Sequence, residues 1–166
     1  MDAKGDDVTT KADFDEQDWA RIRRAPMVAG MAITLADPGG PIEAAKESMA
    51  SIKAATNPPS REQLLTEVAL DVQAMAQQRQ NPLKGFKPQG TGPVGEQVLT
   101  ELREVQQLVA TKADPEETAA FGRWIVHAAQ AAADAAKEGG FMGFGAEQVS
   151  QRERDLLERV QAAVGV

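Results

Sequence analysis

VGEQVLTELREVQQLVAT, residues 94–111, places Val94, Val98, Leu102, Val105 and Val109 at intervals of four, four, three and four. That spacing gathers five aliphatic side chains on one side of a helix and leaves Glu96, Glu101, Arg103 and Glu104 elsewhere on its circumference. A half-buried strand would alternate at every second residue, and this segment does not. It predicts an amphipathic helix, and the segments on either side follow the same period.

Towards the C-terminus, Asp114 is placed to cap a helix with Pro115 at its first position and Glu116 and Glu117 at its positive end. Phe121, Trp124, Ile125, Ala128, Ala132 and Ala135 or Ala136 form its apolar face, and the alanine run lets a neighbouring helix come close. GGFMGFG, residues 139–145, ends it. Ser150 and Glu153 suit a capping box for a last helix over about 150–164, with Leu156, Leu157, Val160 and Val164 inward.

Towards the N-terminus, residues 80–93, QNPLKGFKPQGTGP, form a Pro/Gly loop that divides the chain into nearly equal halves. Before it, Ser60 and Gln63 suggest a capped helix running to about Arg79, with Leu64, Val68, Val72 and Met75 inward. Pro41 opens a helix to about Thr56 whose apolar line is Ile42, Ala45, Met49 and Ile52, expected to face the core. From Asp15, Trp19, Ile22, Pro26, Met27, Gly30, Met31 and Ile33 or Thr34 recur at helical spacing, with Pro26 expected to kink or divide that helix. Residues 1–13 show no periodicity and read as a disordered acidic lead-in. No segment alternates as a strand between hairpin turns. The expectation is an all-α, compact bundle of about six helical segments in one domain over residues 14–166. The two halves, three helices each, are open to being a degenerate duplication.

Composition bounds the chemistry. Among 166 residues there are 29 Ala, no Cys, no Tyr and one His, with a formal net charge of −7. A chain without Cys has no disulfide, no thiolate-held metal and no thiol nucleophile. The charge is spread evenly over both halves, and an acidic chain without a basic stripe repels a phosphate backbone, so no nucleic-acid partner is expected. Arg21, Arg23 and Arg24 form the densest basic cluster and read as local ion pairing or a partner contact. The first residues, MDAKGDDVTTKADFDEQD, lack the basic and apolar regions of a signal peptide, and no run of 18 apolar residues spans a membrane. A cytoplasmic location is expected.

Two stretches share an order of features. VAGMAITLADPGGPIEAAKESMASI, residues 28–52, runs helix, Ala36-Asp37, Gly-containing turn, acidic amphipathic helix. Residues 125–160 run the same way around Ala133-Asp134 with a longer turn, the helix carrying Glu153 corresponding to that carrying Glu47. Over about a third of the chain this order resembles the tellurite-resistance TerB-like helical family, in which a helix ends in an Ala-Asp-Gly turn and the next carries a Glu. Here Asp37 is followed by Pro38 before Gly39, and Asp134 is separated from its glycines by the four residues Ala135–Glu138. The resemblance implies an acidic, cation-binding surface that maps to Asp37, Glu43 and Glu47. Read without the family, Glu43 and Glu47 are four apart on one helix, and with Asp37 they offer the oxygen ligands that Ca²⁺ or Mg²⁺ takes. The plainer reading makes Asp37 a turn cap and the two glutamates a solvated face beside Lys46.

His127 falls on the polar side of its helix with Arg123, Gln130 and Asp134, the setting of an exposed histidine more than of a general base. Neither a Gly-x-Ser-x-Gly elbow nor a phosphate-binding loop occurs, so no enzyme is expected. The expected function is a soluble helical binding or stress-response module with an acidic surface, with a divalent cation (Ca²⁺ or Mg²⁺) as its candidate ligand. Two alternatives stand beside it. One is a self-associating structural or interaction protein that forms a homodimer or meets a protein partner through the Val94–Val109 stripe. The other is a carrier holding an apolar ligand among Met27, Met31, Met49 and Met75, with GGFMGFG and Phe86 either plugging the core or exposed.

Overall fold

A computed structural model describes residues 8–36, 40–87, 93–137 and 151–166. Among these it contains six α-helices and no strand: α1 (Glu16–Ala36), α2 (Pro41–Ala55), α3 (Gln63–Gln77), α4 (Val94–Ala110), α5 (Pro115–Lys137) and α6 (Gln151–Val164). No described helix is long and apolar enough to cross a membrane.

The bundle is organised around α1 and α5. Ala25 to Gly30 are buried one after another in α1, so the middle of that helix is covered all round, as befits a central rather than a surface helix. Contacts with α2, α4, α5 and α6 surround it. Pro26 lies inside this stretch and does not divide the helix. It removes one backbone donor, but neighbours on every side hold the two turns in line. The halves of the chain interleave, the most extensive contacts joining α1 and α2 to α5. Phe121 and Trp124 meet edge to face at 6.3 Å inside the core.

The stripe in α4 is covered within the protomer. Val98, Leu99, Leu102, Val105 and Val109 are buried, and only Val94 at its start stands exposed. That face is therefore closed to the homodimer considered from sequence. α3 buries Leu64, Val68, Val72 and Met75 as expected, but starts at Gln63 with Glu62 as its cap residue. Ser60 lies too far upstream for its hydroxyl to reach the first free amides, and that hydroxyl has no hydrogen-bond partner. α3 ends in a Schellman arrangement: the Gln80 amide donates to the Met75 carbonyl at 2.9 Å and the Arg79 amide to Ala76 at 3.1 Å. Arg79 holds φ at 55°, the left-handed position usually given to glycine. At the start of α5, Asp114 Oδ1 accepts from the Glu117 amide at 2.8 Å, so that cap forms.

The lead-in is not disordered over its described part, residues 8–13. Thr9 is buried, and Lys11–Asp13 form a 3-10 turn held by a capping box with Thr10. Long-range partners explain the order. The Lys11 amide donates to Glu67 at 2.6 Å, and Asp71 accepts from Lys11 Nζ at 2.9 Å and from the Trp19 indole at 2.7 Å. Burial pushes the Asp71 pKa up, but the hydrogen bonds from Lys11 and Trp19 and the charges of Lys11 and Arg23 outweigh it, so the carboxyl titrates below its usual range.

Candidate interaction face on α2

α2 carries two lines at the same spacing, and the structure turns the less apolar one inward. Ala44, Glu47, Ser51, Ala54 and Ala55 face α1 and α5, with Glu47, Ser51, Ala54 and Ala55 buried. Small side chains let the helices approach. A Cβ on Gly30 of α1 would lie 1.9 Å from Ser51 Oγ and 2.7 Å from Ser51 Cβ, with Ala132 of α5 at 3.7 Å. The Ser51 hydroxyl donates back to the Glu47 carbonyl at 2.8 Å, and the Trp124 indole donates to the Ala54 carbonyl at 2.8 Å. Glu47 is only 2% exposed, and its carboxylate accepts from the Thr34 hydroxyl.

The consequence appears on the other side of the helix. Ile42 is 69% exposed and Met49 71%, Ala45 is exposed between them, and only Ile52 is packed partly against the core. The line expected to face inward faces solvent. The correction has a packing cause. Ile42 and Met49 would hold α2 away from α1 and α5, whereas the Gly30–Ser51 contact requires near-touching backbones. Of the charged groups on α2, Lys46 and Lys53 are exposed, Glu43 is half-buried and Glu47 is buried.

Of the three residues considered for a cation, Asp37 lies outside the described residues. A Cβ placed on Gly40 would meet Glu43 Oε2 at 2.8 Å, so that carboxylate folds back over the positive start of α2. Glu47 points into the interhelical contact. Among the described residues no group of three His, Asp or Glu side chains is placed to hold a metal ion. GGFMGFG and Ser150 also lie outside the described residues.

Two other concave regions use residues noted in the sequence. Between α1, α4 and the 81–87 turn, a cleft of about 600 Å³ is lined by Arg21, Arg24, Phe86, Lys87, Glu96 and Glu101 among others. Arg21 forms a fork with Glu101, at 3.1 and 2.8 Å, and reaches Glu104 at 2.7 Å. Hydrogen bonding to Glu101 raises the guanidinium pKa further above its already high value. Arg24 lies over the half-buried Phe86 ring at 5.7 Å. The basic cluster thus forms ion pairs within the chain, one of the two readings open from the sequence. A shallower hollow between α2 and α5 includes His127 and Asp134, with Asp134 accepting from Gln130 at 2.9 Å.

No family model, no curated protein and no solved structure matches this chain. The TerB-like order of residues 28–52 and 125–160 is therefore a resemblance of sequence features alone.

The apolar line of α2 is legible in the sequence, but its direction is not. The available signal was the second line, Ala44-Glu47-Ser51-Ala54, with Gly30 in the preceding helix and the alanine run in α5 as matching close-approach surfaces.

Proposed function

We propose that this chain is a helical binding module whose working surface is the outward face of α2. One observation carries the reading: Ile42 and Met49 stand about seven-tenths exposed on a helix that buries Glu47 and Ser51. At that exposure these two side chains contribute little to the interior packing. Their alignment on one face, with Ala45 exposed between them, is what makes this line a contact surface on the present reading.

The test uses the full chain and an Ile42→Asp/Met49→Asp double variant. Both positions are exposed, so the variant is expected to keep the wild-type circular dichroism and thermal midpoint. Proteins retained from a cell extract by the immobilised wild type are identified, purified and titrated against both forms. At least one is expected to bind the wild type and to lose at least about tenfold in affinity with the variant, the effect of removing two buried apolar anchors. Equal binding of every purified candidate to the two forms would dismiss α2 as the working surface.

A further inference from the structure

We infer that the occupant of this face is an amphipathic helix of a partner protein, carrying carboxylates two turns apart beside its own apolar line. The inference rests on the reading of α2 as the working surface and adds the chemistry of what it meets.

Spacing supplies the first argument. Ile42, Ala45, Met49 and Ile52 follow a three-four-three interval, the narrow seam by which one helix lies along another. A helix that lies in a lipid interface presents a wider apolar face with cations along a broad polar side. Here the exposed line is one side chain wide and ends at Ile52, which leans on the core.

Charge supplies the second. Lys46 follows Ala45 and Lys53 follows Ile52, so the two exposed lysines stand seven residues apart on the same flank of the seam. The helix's two carboxylates are withdrawn, Glu43 half-buried and Glu47 buried. In a chain of net charge −7, the most exposed charges among the described residues of α2 are these two lysines, Lys53 sharing its hollow against α5 with Asp134. A helix laid along the seam brings its flanking residues beside these lysines, and carboxylates complement them. A second copy of the chain does not. Antiparallel pairing sets each lysine flank against the other, and parallel pairing sets the lysines beside Pro41 and Ser48.

The probes are two fluorescently labelled three-heptad peptides with Leu at the seam positions, one with Glu and the other with Lys on the flanks. They are titrated by anisotropy against the full chain, its Met49→Asp form and its Lys46→Glu/Lys53→Glu form. The wild type is expected to bind the Glu peptide about tenfold more tightly than the Lys peptide, although the overall charge of the chain favours the opposite. Met49→Asp is expected to weaken that binding, and the double lysine variant to reverse the preference. Both variants change exposed positions, and unchanged circular dichroism verifies their fold.

The inference is overturned if the Lys peptide binds as well, if neither peptide binds, or if the double lysine variant keeps the wild-type preference. It is also overturned if the chain instead binds phosphatidylcholine vesicles containing phosphatidylserine, or doubles its mass through this face. A purified partner that needs Ile42 and Met49 but presents a basic segment would defeat the acidic-helix inference and leave α2 as the working surface. Indifference of every partner to Ile42→Asp/Met49→Asp would remove both.

Discussion

The carboxylate of Asp71 joins three parts of the molecule, accepting from Lys11 in the N-terminal turn and from Trp19 in α1 while standing on α3. Its pKa is depressed in the folded protein, so its stabilising effect is complete above the unfolded value of about 3.9 and is lost as pH falls through the folded value. Asp13, held low by the hydrogen bond from the Thr10 amide, acts in the same direction. Thermal midpoints should therefore drop below about pH 4 in the wild type and drop less in Asp71→Asn. Parallel curves for the two proteins would show that Asp71 is not the titrating link. A second residue invites the opposite change. Arg79 occupies the left-handed position after α3, whereas Gly165, at φ 70°, fills the corresponding position after α6. Arg79→Gly should stabilise the chain by up to about 1 kcal/mol, because the strain of a side chain there disappears while both Schellman hydrogen bonds are kept. Denaturant unfolding reads the gain, and a loss would mean that the Arg79 side chain makes a contact worth more than its backbone strain.

At the level of helices, Gly30 of α1 leaves the least room of the described glycines, lying against Ser51 of α2. Gly30→Ala should cost about 1–3 kcal/mol, because the new methyl meets both Ser51 Cβ and Oγ and the helices must separate. Ser51→Gly opens that space, so the double variant should be more stable than the sum of the single effects, a coupling that a double-mutant cycle in denaturant measures. Strict additivity would place the strain elsewhere. The same contact explains what could be read in the sequence. Helix positions were legible because Pro41, Asn57-Pro58-Pro59 and Asp114-Pro115 punctuate them, and α4 was legible because its stripe is covered on the side it advertises. The direction of α2 was not, because Gly30, Ser51, Ala54 and Ala132 fix it by smallness and carry almost no hydrophobic signal. Nor was the Asp71 link, whose donors lie 60 and 52 residues away along the chain.

Over the whole molecule, the most extensive contacts join α1 and α2 of the first half of the sequence to α5 of the second. Unfolding should be a single transition, with the fluorescence of Trp19 in the Trp124→Phe variant and of Trp124 in the Trp19→Phe variant each coinciding with helix loss by circular dichroism in the same variant. Separate midpoints within one variant would show that the halves uncouple. Substitution of Trp124 should lower the midpoint of its own variant, since it removes the hydrogen bond to the Ala54 carbonyl.

The reversed orientation of α2 also separates two kinds of inheritance along one helix. Ser51 and Ala54 answer to folding and must stay small in any descendant that keeps this packing. On the proposed reading, Ile42 and Met49 answer instead to what the helix meets outside the chain. A lineage that lost its partner would be free to replace them with Glu, Lys or Gln while its fold persisted. If the proposed association holds, decay of the hydrophobic positions in α2 would record its abandonment rather than a failing core.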